Sequence, residues 1–258
     1  MAQEQRKFTI IGNSVHRIDG IDKVTGKAKY VADLIIPGLS EGKFLRSPYA
    51  HARIRSIDTS EAEALPGVLA VVTSKDFTDI SPYMGRGKSK DHPIIALDRA
   101  IFAGQPVAAV AAVDRATPEE ALNKIKVDYG ELPALIEVEE AMADGAPLVH
   151  SFAERNICFQ TELVKGNVEK AFDEADEIFE DNFEFPMIYH YSMEPHTSIA
   201  QFDSDGITIW ASTGHPFGVR QEVAEVFKVP LSKVRVHTNF VGAAYGSKSG
   251  AKIEPLVV

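Results

Sequence analysis

Apolar and polar positions divide the chain into short elements. Ala52 to Ile57 alternates and predicts a half-buried strand, while Val68 to Val72 and Gly104 to Val113 are continuous apolar runs that predict buried ones. Lys27 to Val31, Gly42 to Arg46 and Lys126 to Tyr129 read as further short strands. Helices announce themselves by their starts. Asp58-Thr59-Ser60 offers capping oxygens to a helix from Glu61 to Leu65, which Pro66-Gly67 ends, and Ser74 caps a further turn. Thr117-Pro118-Glu119-Glu120 offers Thr117 as a cap, proline at the first helical position and acids near the positive end of the helix dipole, so a helix to about Ile125 is expected. Ser81 to His92, rich in Gly, Lys and Asp, is expected to be mobile.

The rhythm changes near Glu139 to Val149, where Ala-Asp-Gly-Ala-Pro at 143–147 reads as a linker. Two domains are expected, 17–140 and 150–258. In the second, Gly166-Asn167 caps a helix to Ala175, and Glu177 to Phe185 alternates as a long strand. Ser198 to Phe202, the turn Asp203-Ser204-Asp205-Gly206 and Ile207 to Ser212 make a β-hairpin. Val219, Val223, Val226 and Phe227 share one helical face that ends at Pro230, and Val234 to Thr238 is a strand leading into a glycine-rich segment. The expected fold class is α+β.

Composition narrows the chemistry. A net charge of -10, from 37 acidic and 27 basic residues, argues against a general nucleic-acid binder. The single cysteine, Cys158, allows no internal disulfide and no Cys-held iron–sulfur cluster, and it suits a reducing, cytoplasmic setting. Met1 to Lys7 shows no signal peptide, and the run Pro106 to Val113 is too short to cross a bilayer. His190, His196 and His215 lack any zinc-ligand spacing. There is no Walker A sequence, no Rossmann glycine spacing, and no nucleophile-elbow context around Ser212. An acid role and a structural one are both open to Glu194, and buried carboxylates usually accept backbone hydrogen bonds.

The richest segment is Val241-Gly242-Ala243-Ala244-Tyr245-Gly246-Ser247-Lys248. Its small residues let a backbone lie close against something large, and glycine leaves its amide unshielded, so several N–H groups can be aimed at an anionic ligand. The segment resembles the glycine-rich cofactor loop of the molybdenum hydroxylases, the xanthine dehydrogenase/aldehyde oxidase family, which reads roughly GGGFGGK. Here Ala243, Ala244 and Ser247 stand where glycine is usual, and Tyr245 replaces phenylalanine. Further segments resemble the same family in the same order: Arg17-Ile18-Asp19-Gly20 with Lys23 to Ala28, Arg46 to Ala52, Leu65-Pro66-Gly67-Val68, Gly104 to Ala108, and Met193-Glu194-Pro195 followed by Ala211-Ser212-Thr213.

The resemblance implies an α/β hammerhead domain followed by the first part of the molybdopterin-binding domain. It implies that the loop from Gly242 through Ala243, Ala244, Tyr245 and Gly246 to Ser247 approaches the pterin and the metal ligands, with Tyr245 and Gly246 nearest the metal. Many members carry glutamine after Ser-Thr, as a donor to a molybdenum oxygen. Gly214 stands there in this chain, leaving His215 as the candidate substitute. The family hydroxylates electron-poor carbons of aldehydes, purines, N-heterocycles or aromatic CoA thioesters. Its electrons leave through iron–sulfur clusters, and often FAD, on partner subunits. Its general base, a glutamate, and its second molybdopterin domain lie beyond a point matching Val258. The resemblance therefore implies a truncated chain or half of a split subunit, inactive alone, with no catalytic residue of its own. His51, Arg46 and Lys27 are expected to be structural. The alternative is a non-catalytic assembly or scaffold module, which the substituted loop and Gly214 favour and the intact order of motifs disfavours.

Overall fold

A computed structural model describes residues 8–84 and 91–258. The first half carries α1 (Gly20–Val24), β1 (Glu41–Arg46), β2 (Ala52–Asp58), α2 (Ser60–Glu63), β3 (Val68–Thr73), β4 (Arg99–Ala100), β5 (Pro106–Ala112), α3 (Thr117–Leu122), β6 (Lys126–Glu131) and α4 (Val138–Met142). The second carries α5 (Val168–Asp173), β7 (Ser198–Asp203), β8 (Gly206–Ala211), α6 (Pro216–Val226), β9 (Val234–His237) and α7 (Glu254–Val257). The strands form three three-stranded sheets, ordered β1-β5-β3, β4-β2-β6 and β7-β8-β9. The first two are antiparallel throughout, so the fold is mixed α+β rather than a parallel doubly wound sheet.

β5 shows why its sequence is continuously apolar. Ala108 and Val110 point into a cluster with Ala62, Ala121 and Ile125, beneath α2 and α3. Ala109, one residue out of phase, points the other way into a cluster with Met84, Ile94, Ile95 and Val226. A strand covered on both faces has no polar phase. The second cluster also joins the two halves, because Val226 belongs to α6, and the Ser81 N–H donates to the Val226 carbonyl at 2.7 Å. α3 starts at Thr117 itself, with Pro118 second, and ends at Leu122 rather than Ile125. Thr117 is not its cap, since the first amides are held by Asp114, whose Oδ1 accepts from the N–H groups of Ala116 and Thr117.

In the third sheet β7 and β8 form the expected hairpin, while β8 and β9 run parallel and are connected through α6. Ile207, Ile209 and Ala211 alternate onto one face of β8 and pack on Val219 and Val223 of α6. These two valines are fully buried, each contributing about 1.5–3 kcal/mol of hydrophobic stabilisation.

Three expectations need correction. Lys27 to Val31 is not a strand: after α1 the chain turns at Gly26, runs without a ladder partner and enters a 3-10 turn over Val31–Asp33. Ser74 is not the cap of its turn. Thr73 is, with its N–H and hydroxyl both donating to Asp76. Glu177 to Phe185 forms no strand and lies exposed, because no other strand among the described residues pairs with it. An alternating sequence becomes a strand only when a second backbone supplies the ladder. Part of the stretch Ser81 to His92, residues 85–90, lies outside the described residues. Its flanks are joined, since the Met84 N–H donates to the His92 carbonyl at 2.8 Å and the Ile94 N–H to the Pro82 carbonyl at 2.8 Å. No helix among the described residues is long and apolar enough to cross a membrane.

Candidate functional site

The third sheet gathers three segments at one edge. β8 and β9 are parallel, so the residues following each, 212–215 and 238–248, emerge on the same side. β7 is antiparallel to β8, with Ser198 opposite Ala211, so the segment entering β7 arrives there too. In sheets with parallel strands, ligands bind beyond the carboxyl ends. Side-chain oxygens stitch the segments together. The Ser212 hydroxyl accepts from the Thr197 N–H at 3.0 Å, and the Thr238 hydroxyl donates to the Ala211 carbonyl at 3.3 Å.

The glycine-rich loop is anchored at both ends and open between them. At its start, the Gly242 N–H donates to Glu194 Oε2 at 2.7 Å, and the Glu194 N–H donates back to the Gly242 carbonyl at 3.1 Å. At its end, Lys248 Nζ reaches the same Glu194 Oε2 at 2.9 Å. The Lys248 carbonyl accepts from the Gly214 N–H at 3.0 Å and from the Thr213 hydroxyl at 3.2 Å. Gly214 therefore lies beside the loop. Ser247 closes a turn, its N–H and hydroxyl both donating to the Ala244 carbonyl. Between the anchors, the N–H groups of Ala243, Ala244, Tyr245 and Gly246 donate to no acceptor among the described residues.

The backbone of this stretch is unusual. Ala243, Tyr245 and Gly246 have φ of 75, 49 and 92°. Non-glycine residues rarely enter the left-handed region, and strain of this kind collects at ligand sites. Successive N–H groups flanking left-handed residues form concavities that take up anionic ligands. A Cβ at Gly246 would have open space except for His190 Nε2 at 3.8 Å. Tyr245 and Gly246 are exposed, and 242–244 are half-buried. The Tyr245 hydroxyl thus needs no protein partner. The residues present fit a large anionic ligand laid against the backbone, with room at Gly246 and free donors across 243–246.

Beside the loop's exit is a cavity of about 430 Å3 lined by Met84, His92, His215, Glu222 and Ser249 to Lys252. His215 lies at the start of α6 and lines this cavity. Burial holds the His92 imidazole below its ordinary pKa, helped by Lys252. Burial likewise lowers His196, followed by the charges of Lys248 and Lys252. Sequence reasoning named the loop and Gly214 but did not pair Glu194 with Lys248. Its signal was the acidic residue of Met193-Glu194-Pro195 and the lysine that ends the glycine loop.

Comparison with known proteins bears on the same segments. Residues 25–133 match the family model for the aldehyde oxidase and xanthine dehydrogenase a/b hammerhead domain, and residues 149–258 match that for the molybdopterin cofactor-binding domain. The chain is 37% identical over 240 residues to a probable xanthine dehydrogenase subunit of Bacillus subtilis, covering 93% of this chain and 32% of that protein. It is 31% identical over 254 residues to the nicotinate dehydrogenase large molybdopterin subunit of Eubacterium barkeri, covering 96% of this chain and 58% of that one. Its fold superposes on quinoline 2-oxidoreductase from Pseudomonas putida 86 with a TM-score of 0.83 at 31% identity, covering 92% of this chain and 31% of that one. A hammerhead match and a molybdopterin-domain match, in that order along one chain, place it in the xanthine dehydrogenase/aldehyde oxidase family of molybdenum hydroxylases.

Proposed function

We propose that this chain is part of the catalytic subunit of a molybdenum-cofactor oxidoreductase, and that Gly242, Ala243, Ala244, Tyr245, Gly246, Ser247 and Gly214 form its share of the cofactor site. The observation that carries this is the run of four N–H groups, 243–246, without an acceptor among the described residues, on a backbone with three left-handed residues. These donors hold and orient an anionic pterin, and Gly246 gives it close approach. When bound, the cofactor supplies the redox centre, and the protein supplies orientation and hydrogen bonds. The substrate class is that of the family: an aldehyde, a purine or an N-heteroaromatic ring.

The proposal extends to the rest of the enzyme. A second molybdopterin domain, in the same polypeptide or on another chain, completes the site and brings the general base. Iron–sulfur clusters, and often FAD, on partner subunits carry the electrons away. The lengths of the relatives support this, since the chain spans 32% of the Bacillus protein. The domain division at 17–140 and 150–258 belongs to the same proposal.

Gly246→Val is the test. A β-branched side chain at a φ of 92° both strains the loop and fills the open space over Gly246. In the assembled enzyme it should abolish molybdenum content and turnover of aldehyde or heteroaromatic substrates. Unchanged molybdenum and turnover would remove the loop from the binding site. The second reading, a non-catalytic assembly module, draws on Ala243, a residue strained where glycine is usual. Partner binding without molybdenum in the unmodified complex would favour it.

A further inference from the structure

We infer that the buried pair Glu194 and Lys248 is the positioning device of the loop, fixing the backbone whose N–H groups at 243–246 have no acceptor among the described residues. The inference rests on the reading of this loop as the cofactor-binding element, and it names the residues that set the loop's shape. A single oxygen, Glu194 Oε2, receives the amide at the loop's start and the ammonium at its end, at 2.7 and 2.9 Å. The loop is therefore a closed ring whose clasp is one carboxylate. Ser247, and Ser249 just past the second tether, donate to the carbonyls of Ala244 and Gly246, which leaves the amides of 243–246 without an acceptor among the described residues.

Stability alone is a poor reason for this arrangement. The side chains of Lys248 and Glu194 are 1% and 9% exposed. Two charges so far from water lose hydration that their attraction only partly restores, and a well-packed apolar pair is often as stable. Glu194 Oε1 is buried and accepts nothing among the described residues, so the carboxylate is compensated through Oε2 alone. What an apolar pair could not do is hold an amide and a distant side chain at one point. The same lysine's carbonyl takes the Gly214 N–H, so the clasp also sets the spacing between the loop and the segment following β8.

The test uses Glu194→Gln, Lys248→Met and the double variant in the complete enzyme. Three quantities are measured: melting temperature, hydrogen–deuterium exchange of the Gly242 and Ser247 amides, the loop amides that have acceptors, and bound pterin released as its fluorescent oxidation product. Each single variant leaves one charge buried alone, so melting temperature should fall. Exchange should rise about tenfold, the equivalent of one lost charge-assisted hydrogen bond. The double variant buries no charge, so its melting temperature should recover. Its exchange should stay fast, since methionine has no ammonium to donate to residue 194. A merely structural pair would recover both. The proposal is overturned if the single variants leave exchange unchanged, or if exchange in the double variant returns to the parent rate. Should a single variant yield no folded protein, the double variant alone decides. Fast exchange with undiminished pterin would keep the clasp and remove the loop from cofactor binding, which separates the two ideas.

Discussion

Gly242 and Glu194 approach so closely that a Cβ placed on Gly242 would lie 2.5 Å from the Glu194 Cβ. Both atoms are fixed by backbone, so no rotamer change separates them. Gly242 is not among the left-handed glycines, so it is glycine for space rather than for φ. Gly242→Ala should therefore push the two segments apart, break their reciprocal hydrogen bonds and destabilise the chain by about 1–3 kcal/mol, as overpacked sites do. Thermal or urea unfolding measures this. An unchanged midpoint would mean that the segments slide freely past each other.

Ala243 presents the opposite case. Its φ of 75° places a methyl group in the left-handed region, where an L-residue is disfavoured by about 1–2 kcal/mol. Glycine is the usual family residue there. Ala243→Gly removes that strain while loosening the unfolded chain, an entropic cost of about 0.4–1 kcal/mol. A net stabilisation of up to about 1 kcal/mol is expected from the difference. A higher melting temperature with unchanged pterin content checks it, and a lower one would show that the methyl group makes a compensating contact.

What the sequence reveals here depends on where each element finds its partner. The β7–β8 hairpin, the α6 face of Val219, Val223 and Val226, and the buried run of β5 are all legible because the partner surfaces belong to the same chain. Glu177 to Phe185 carries as clear an alternation, and it misleads because alternation records a face and not a neighbour. At the site, glycine spacing points to the loop and to the side on which a ligand sits. The clasp is invisible by the same means. Glu194 and Lys248 are 54 positions apart, and the antiparallel pairing of β7 with β8 together with the parallel pairing of β8 with β9 brings their segments to one edge.

Acidification should weaken the site region first. His196 is held below the ordinary histidine value of 6.5 by burial, then by Lys248, Lys252 and His190, with Glu194 opposing. His92 is lowered by burial and Lys252, with Asp91 opposing. A group whose folded pKa is depressed binds fewer protons in the folded state. Stability is then full above 6.5 and is lost as pH falls from there towards the folded value. Glu254, raised by burial, contributes with the opposite sign above its ordinary value of 4.5, so the comparison must be between variants at one pH. Melting temperature between about pH 7.5 and 5.5 should fall less in the double variant His92→Gln/His196→Gln than in the parent. Equal slopes would show that these imidazoles protonate freely in the fold.

The exposed arm before β7 makes the last prediction. Phe183, Phe185, Met187, Tyr189 and Tyr191 occupy every second position, and Phe183 and Phe185 are 80% and 79% exposed. Tyr191 has a φ of 43°, and the Tyr189 and Tyr191 rings lie edge to face at 4.7 Å. An exposed apolar row of this kind, whose backbone has no ladder partner among the described residues, is a template for association. The chain on its own should therefore self-associate with rising concentration. Phe183→Ser with Phe185→Ser should suppress that while leaving the melting temperature in place, because neither ring contributes to the described core clusters. Light scattering across a concentration series reads the first effect and thermal unfolding the second. If the double variant melts well below the parent, the arm packs on the fold in solution and is not the exposed row described here. If association persists unchanged, the adhesive surface lies elsewhere on the chain.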